Sequence, residues 1–501
     1  MALMLPRAGP LRLCPRCLPP RARRLASSTS SPRPASIPHP VLDLHAVLHT
    51  PDRVKENLRQ RKYPVGADRI DALRDMELEA VQLRKDLQSA RERRNAVSAA
   101  PKDDMEARKE AFEVKRLIKQ LEPRLATLSK EIQAIALQLP NLSHPDVPIG
   151  DETQARLVTQ TWGGSADVEP ERDHLALSSP SNLAWTDFPS SSLTTGSSWP
   201  LLLNEGALLE LALTNYAISV ALSHGFTPTL TPDVVRSDVS ERCGFRPRDG
   251  EAQQTYFLSD GESTSALCLA GTAEIPLVAM SAGQTFRAEQ LPVKHVALGR
   301  AFRAEAGARG ADSRGLYRVH QFSKVEMVIL CAEEQSNAIL EELRAIQEEI
   351  LKGLGLPLRV LDMPTEELGA SAHRKYDIEA WMPGRGKWGE LSSASNCTDY
   401  QSRRLGIRYR PQASSTQSDA TESAGARSGG PKLAFVHTLN GTAAAIPRLI
   451  VALLENGAVL DAETGRVERV RLPDCLKPFW LGKGTDGRIE WVPAGEPLRR
   501  L

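Results

Sequence analysis

The 501-residue chain is too long for one compact core and must divide into two or more domains. A formal net charge of +1 rules out a global field as the means of holding a polyanion, so a nucleic-acid partner has to be met by local basic patches. No run of about 18 or more apolar residues occurs, so no membrane span is proposed, and seven cysteines scattered along a large chain argue against a disulfide scaffold and for a reducing compartment.

Residues 1–42 hold seven arginines and several serines and no acidic residue, which is the composition of a mitochondrial transit peptide. Its removal is expected. Prolines at 6, 10, 15, 19 and 20 would interrupt an amphipathic helix, so a disordered basic tail is the alternative. Cys14 and Cys17 form a CxxC, but no second pair follows at zinc spacing.

Beyond a short amphipathic segment from Val41, two heptad series follow. Leu73, Met76, Ala80, Leu83, Leu87 and Ala90 form the first, and Val114, Ile118, Leu121, Leu125, Leu128, Ile132, Ile135 and Leu139 the second. Residues 96–104, AVSAAPKDD, supply a turn, so the two helices should fold back as an antiparallel hairpin. The second, at about 1.5 Å per residue, is too long to hide in a compact domain and must project, with a bend or gap expected at Pro123. Its charges nearly balance, 14 basic against 13 acidic over residues 70–139, which leaves Arg91, Arg93 and Arg94 near the tip as the best phosphate contacts. A projecting coiled coil serves equally as a structural or oligomerisation device.

Residues 151–200 are rich in Ser, Thr, Pro and Trp. Asp173-His174 suggests an acid/base pair less than it suggests a loop or a helix cap. Residues 201–224 read as a helix with a broad apolar face stopped by Gly225, and FTPTLTPDVV (226–235) as a strand entering a turn. In LAGTAEIPL (269–277), Thr272 and Glu274 would face one way if extended, suiting an ammonium beside a short polar side chain. A capped helix start explains the same residues.

Residues 294–305 alternate with period two, a Gly-rich loop turns over 306–315, and 316–330 return. Arg303 and Glu305 then point to one face, and on the returning strand Arg318, His320, Phe322, Lys324 and Glu326 also share a face, taken as the cleft side, so that one face carries two arginines, two carboxylates and a phenylalanine. Guanidinium for phosphate, a ring for a base and a carboxylate for an amino group suit a nucleotide; a solvated hairpin face explains the same alternation. Glu390 and Ser393 begin a stretch of acceptors that also reads as a Ser-rich loop, and Gln401, Arg403 and Arg404 support either the fold or phosphates. Residues 411–431 are a low-complexity disordered insertion. A strand, a turn at Asn440-Gly441 and a helix through Pro447 and Arg448 come next. The dipole disfavours a cation in that first turn, which suggests that a site uses it. Residues after 457 show no motif.

FRAEAGARGADSRGLYRVHQFSKVEM (302–327) is very similar to motif 2 of the class II aminoacyl-tRNA synthetases, in the form used by seryl-tRNA synthetases. The likeness extends to LAGTAEIPL, to WGELSSASNCTDYQSRRL (388–405), to HTLNGTAAAIPRLIVALLEN (437–456), which resembles motif 3, and to ERRNAVS (92–98) and LPNLSHPDVPIG (139–150) of the arm. TTGSSWPLLL (194–203) departs from the tyrosine-rich pattern of the family.

The resemblance implies an α+β fold: an N-terminal antiparallel coiled-coil hairpin arm, then a catalytic domain built on an antiparallel β-sheet with flanking helices. The implied division is a transit peptide at 1–35, a tRNA-binding arm at 36–145, the catalytic domain at 146–456 and a C-terminal tail at 457–501. It implies ATP-dependent activation of L-serine and transfer to the 3′ end of tRNA(Ser) by a homodimer joined through motif 1 around 226–235; residence in the mitochondrial matrix is expected from the composition of residues 1–42. Thr272 and Glu274 would hold the serine ammonium and Glu326 its hydroxyl, with Arg303, Asn440 and Thr442 completing the pocket; the family commonly has Ser where Thr442 stands. Arg303, Glu305, Arg318, Val319, Phe322, Glu390, Ser393 and Arg448 would bind ATP, Arg448 and Phe322 sandwiching the adenine. Glu390 and Ser393 would hold Mg²⁺, which needs hard oxygen ligands. Arg303, Glu390 and Arg448 carry the catalytic roles, and Arg91, Arg93 and Arg94 the tRNA contacts. The rivals are a ligase acting on a non-tRNA carrier and a catalytically inactive RNA-binding scaffold.

Overall fold

The computed structural model describes residues 36–98, 104–161, 167–245, 254–258, 266–305, 315–412, 433–482 and 487–499. The readings of residues 1–35, of the Gly-rich loop at 306–314 and of nearly all the 411–431 insertion therefore lie outside the described residues, as do Cys14 and Cys17.

Two helices of 32 residues each, α1 (Ala67–Ser98) and α2 (Met105–Ala136), run side by side, each about 48 Å long at the standard rise. Asp104 caps α2 by accepting from the amides of Glu106 and Ala107 at 3.0 and 3.1 Å. The seam is buried at Leu73, Ala80, Leu87 and Ala90 on α1 and at Val114, Ile118, Leu128 and Ile132 on α2. Met76, Leu83, Leu121, Leu125 and Ile135 are only partly covered, because two helices alone cannot enclose every a and d position. Leu139 lies past the end of α2, where Ala136 takes the last buried position. Pro123 sits on the exposed side and the helix runs through it. At the arm's base the fully buried Arg61 donates to the carbonyls of Asn141 (2.6 Å), Ala372 (3.2 Å), Leu368 (3.2 Å) and Gly369 (2.5 Å), pinning the arm to the second domain.

That domain is built on an eight-stranded sheet: β1 (Arg156–Gln160), β2 (Thr227–Leu230), β3 (Val293–Phe302), β4 (Gln321–Cys331), β5 (Leu358–Asp362), β6 (Arg374–Met382), β7 (Lys387–Asn396) and β8 (His437–Ala445). The order across the sheet is β1-β5-β6-β7-β8-β4-β3-β2, antiparallel throughout except for β2 beside β3. Helices α3 (Asn204–Ser223), α5 (Ser336–Gly353) and α6 (Ile446–Gly457) pack on one face, with the short α4 (Glu274–Ala279) between α3 and α5 in the chain. Val325, Met327 and Ile329 of β4 join the large core under those helices, while Val328 and Leu330 join a second cluster with Ile275, Leu277 and Val278 of α4. The even-numbered side chains of β4 thus face away from the main helical layer, and there the site is built.

Among the described helices α3 alone is long and apolar enough to cross a membrane; here Leu209, Leu213, Tyr216 and Ala217 are buried against the sheet layer. The described residues after 457, without a legible motif, are folded. They form strands 458–460, 467–473 and 489–492, and Val470, Leu472, Leu476 and Leu498 enter the main core.

Candidate active site

A cleft of about 540 Å³ opens over β4, β7 and β8, lined among others by Arg303, Glu305, Arg318, Val319, Phe322, Lys324, Glu390, Ser393, Thr442 and Arg448. Two bulges build it. On β7, Ser392 pairs with Ile378 and Glu390 with Glu379, so Leu391 is an extra residue and Glu390 and Ser393, three apart, share a face. On β8, Ala444 pairs with Val325 and Thr442 with Glu326, so Ala443 is extra, and Thr442 and Ala445 share a face in the same way. Gln347 of α5, fully buried, donates to the carbonyls of Ser393 (2.8 Å) and Thr442 (3.0 Å) and so satisfies acceptors beside both irregularities.

Behind the cleft two carboxylates meet. Glu274 accepts from Gln401 Nε2 at 2.6 Å and Asn440 Nδ2 at 3.0 Å. Burial, reinforced by Glu326, pushes its carboxyl up to about 7 against the pull of Gln401, Lys324 and Arg303. Glu326 is 1% exposed, and its Oε2 lies 2.7 Å from Lys324 Nζ without a well-aligned hydrogen bond. Lys324 also reaches Thr272 Oγ1 at 3.5 Å. The stretch holding Thr272 and Glu274 is not extended. Thr272 Oγ1 accepts from the amide of Glu274 at 3.3 Å where α4 starts, while the Glu274 carboxylate reaches Gln401 and Asn440.

At the mouth, Arg303 lies over the Phe322 ring (5.4 Å) and Arg448 over Tyr317 (4.7 Å). Arg303 Nε is buried with no hydrogen-bond partner among the described residues. Burial, then the nearby Arg448, lowers the Arg303 guanidinium, outweighing Glu305, Glu390 and Glu326. Arg448 Nη1 stands 3.3 Å from Glu390 Oε2 and donates to the Glu390 carbonyl at 3.0 Å. Burial opposes the charge on Glu390, but Arg448, Lys375, Arg303 and Lys324 outweigh it and hold the carboxyl low. The four cations lining the cleft, Arg303, Arg318, Lys324 and Arg448, outnumber its two carboxylates, Glu305 and Glu390, a balance that suits a polyanion.

The expected hairpin is shorter than its sequence pattern. β3 ends at Phe302 and β4 begins at Gln321, so Arg303, Glu305, Arg318 and Val319 reach the cleft from loops, and Glu305 holds φ +46° while pairing with Arg318 at 3.1 Å. His320 leaves the expected face: its Nδ1 meets Tyr256 Oη at 2.9 Å and its ring stacks on Trp199. Arg403 and Arg404 serve the fold, Arg403 pairing with Asp399 at 2.6 Å and Arg404 stacking on Tyr400. Gln401 belongs to the pocket. So do Lys324 and Tyr317, given no role from the sequence; the shared parity of Lys324 and Glu326 was the available signal. Lys375 and Asp377, paired at 2.6 Å, were also missed, and Asp377 stands opposite Ser393 across the strands.

The arm's arginines are not all free. Arg91 pairs with Glu122 and Arg93 with Glu110, both at 2.9 Å, tying α1 to α2, while the Arg94 guanidinium reaches Asn95, at 3.5 Å. Asp173 is a cap, accepting from the Leu175 amide at 2.9 Å.

Residues 41–143 match the family described as the seryl-tRNA synthetase N-terminal domain, and residues 256–457 the tRNA synthetase class II core domain (G, H, P, S and T). The serine–tRNA ligase of Treponema denticola is 39% identical over 447 residues, 88% of this chain and 98% of that protein. The mitochondrial serine–tRNA ligase of Saccharomyces cerevisiae is 41% identical over 365 residues, 71% of this chain and 74% of that protein. The crystal structure of seryl-tRNA synthetase from Pyrococcus horikoshii complexed with ATP superposes with a TM-score of 0.77 at 32% identity, over 88% of this chain and 98% of that one.

Proposed function

The chain belongs to the seryl-tRNA synthetases of class II, and from that premise we propose how its own residues divide the work. It activates L-serine with ATP to seryl-adenylate and transfers the serine to the 3′ end of tRNA(Ser). The observation that carries the assignment of roles is the two-part cleft: a small acidic chamber at Glu274 and Glu326 behind a mouth lined by Arg303, Arg318 and Arg448, where Arg303 Nε is buried without a partner among the described residues.

Thr272 and Glu274 take the serine ammonium, and Glu326 accepts from the hydroxyl beside Asn440 and Thr442. Lys324 offsets the second carboxylate, so one ammonium suffices for the chamber. A buried carboxylate left without its hydroxyl partner costs enough that alanine should be rejected on the order of 10⁴-fold. Arg448 and Phe322 hold the adenine ring between them, while Glu305, Arg318 and Val319 contact the nucleotide from the loops. Arg303 bridges the serine carboxylate and the α-phosphate.

The serine carboxylate attacks the α-phosphorus and pyrophosphate leaves. The negative charge spreading over the phosphate oxygens is met by Arg303, and no protein nucleophile is needed. The tRNA's terminal adenosine hydroxyl then attacks the acyl carbon and AMP departs. Glu390 and Ser393 fit a magnesium ion: both offer hard oxygens, the Leu391 bulge turns them to one face, and Glu390 keeps 39% of its side chain open to the cleft. Bound there, the ion would neutralise phosphate charge.

The arm takes the tRNA by shape and backbone, with Arg94 the readiest contact and Arg91 and Arg93 exchanging glutamates for phosphates. A homodimer through residues 226–235 is supported by Leu230, 91% exposed on the edge strand β2, with Leu211 and Leu222 of α3 also exposed. Mitochondrial matrix residence rests on the composition of residues 1–42 and on the mitochondrial relative, beside which bacterial relatives are as similar. The test for residence is whether residues 1–42 carry a reporter into mitochondria.

The site assignment is tested by ATP–pyrophosphate exchange on the chain lacking residues 1–35, with serine, threonine, alanine and glycine supplied separately. Exchange with serine alone is expected. Exchange with alanine near the serine rate would overturn the role given to Glu326.

A further inference from the structure

Beside Gly315 and Leu316, where the chain returns to the cleft, three titratable groups converge. Asp173, His174 and Glu455 bring ligand atoms within 4.8 Å of one another, and His174 and Glu455 are 3% and 0% exposed. Their atoms are engaged with hydrogen-bond partners. Asp173 Oδ1 takes the Leu175 amide at 2.9 Å, and Glu455 Oε1 faces His174 Nδ1 at 3.1 Å and the His174 amide at 3.4 Å. Glu455 Oε2 takes the Arg385 amide at 3.1 Å. His174 Nε2 accepts from the Leu316 amide at 3.2 Å. That last bond fixes the ring as the neutral Nδ1–H tautomer, since only an unprotonated Nε2 can accept.

Leu316 is where the chain comes back from the motif 2 loop, and 316–319 all line the cleft. The fit is close on both sides. Gly315 has φ +73°, and a Cβ there would lie 2.2 Å from His174 Nε2. From Tyr317 the contact passes to the nucleotide's side of the cleft: its carbonyl accepts from Arg448 Nε at 3.4 Å, and its ring lies between Arg448 (4.7 Å) and Arg385 (3.4 Å). Glu455 closes the circuit, because it stands on α6, the helix that begins with Ile446 and Pro447 and carries Arg448.

We propose that His174 and Glu455 are positioning residues for ATP: the Glu455–His174–Leu316 relay sets the exit of the motif 2 loop against α6 and thereby fixes Tyr317 and Arg448 for the nucleotide. The inference rests on the reading of the cleft as the ATP site. It predicts an effect on ATP and none on serine, whose chamber the relay does not touch.

The test uses the full chain in serine-dependent pyrophosphate exchange, with ATP and serine varied separately, on His174→Asn and His174→Gln. Asparagine can reproduce the Nδ1 contact to Glu455 but not the acceptor for Leu316; glutamine can reach with an acceptor to the Nε2 position. His174→Asn should raise KM for ATP roughly tenfold, the effect of one buried amide left unpaired, with KM for serine within about twofold and faster amide exchange at 316–318. His174→Gln should recover most of the ATP affinity. Equal KM for ATP in wild type and His174→Asn, or a parallel rise for ATP and serine in both variants, would overturn the relay. Should His174→Asn fail to fold, Glu455→Gln replaces it: one amide then faces an NH₂ group, and the same selective rise for ATP is expected. A wild-type chain that shows no exchange would instead refute the activity on which the relay rests.

Discussion

Glu274 gives the sharpest test, because its stability effect and its binding effect have opposite signs. In the folded chain its carboxyl is moved from 4.5 to about 7 by burial and by Glu326. Between those values the folded state keeps a proton that the unfolded chain has released, so stability is full below about pH 4.5 and falls as pH rises through 7. The loss at pH 8 is up to about 3 kcal/mol. Glu274→Gln removes this titration while its amide oxygen can still accept from Gln401 and Asn440. The variant should therefore match the wild type in thermal melts at pH 4 and melt a few degrees higher at pH 8. It should also lose serine-dependent exchange, because the ammonium's counter-charge is gone. Wild-type KM for serine should fall as pH rises through about 7, and added serine should raise the wild-type melting temperature more at pH 8 than at pH 5.5 and leave the variant's unchanged. A wild-type melting profile parallel to that of Glu274→Gln across this range would refute the buried-charge account, and serine-stabilised Glu274→Gln would refute the ammonium role.

Arg303→Ala should lose about 100-fold or more in serine-dependent exchange, since among the described residues Arg303 Nε is buried without a partner and faces the cleft; near-normal exchange would show that the guanidinium does not meet the developing charge. On the arm, Arg94→Glu should raise KM for tRNA in aminoacylation and leave pyrophosphate exchange alone. Arg91→Ala and Arg93→Ala, which break exposed ion pairs across the hairpin, should each cost under about 1 kcal/mol in denaturant titration. Leu230→Arg should move the sedimentation coefficient from that of a dimer to that of a monomer, and an unchanged value would place the interface elsewhere.

What was legible in the sequence was what rests on period. The heptads of α1 and α2 and the helix of α3 each bury one face, and burying one face leaves a repeat in the letters. The C-terminal strands left none: 458–460, 467–473 and 489–492 are short, and Val470, Leu472 and Leu476 acquire meaning only against a core built far upstream. The ion pairs of Arg91 and Arg93 left no mark in the sequence for a related reason, since their glutamates lie 31 and 17 residues away on the other helix. His174 fell to its neighbour. Asp173 is the cap that the dipeptide suggests, but the partners of the histidine, Glu455 and Leu316, stand 281 and 142 residues further on.

Glu390 and Ser393 mark the deeper limit of reading by parity. Three residues apart on a regular strand, they would point to opposite faces and no common ion could reach both. The extra Leu391 reverses the parity, and the extra Ala443 does the same between Thr442 and Ala445 on the neighbouring strand. Each bulge takes a residue out of the ladder, a liability inside a sheet, and Gln347 meets both by reaching the Ser393 and Thr442 carbonyls from a buried position on α5. The convergence of oxygens in the cleft is therefore held from the opposite face of the sheet, by a residue that touches no substrate. Neither strand alone contains that information, because the pairing partner and the helix behind it decide which residue is the extra one.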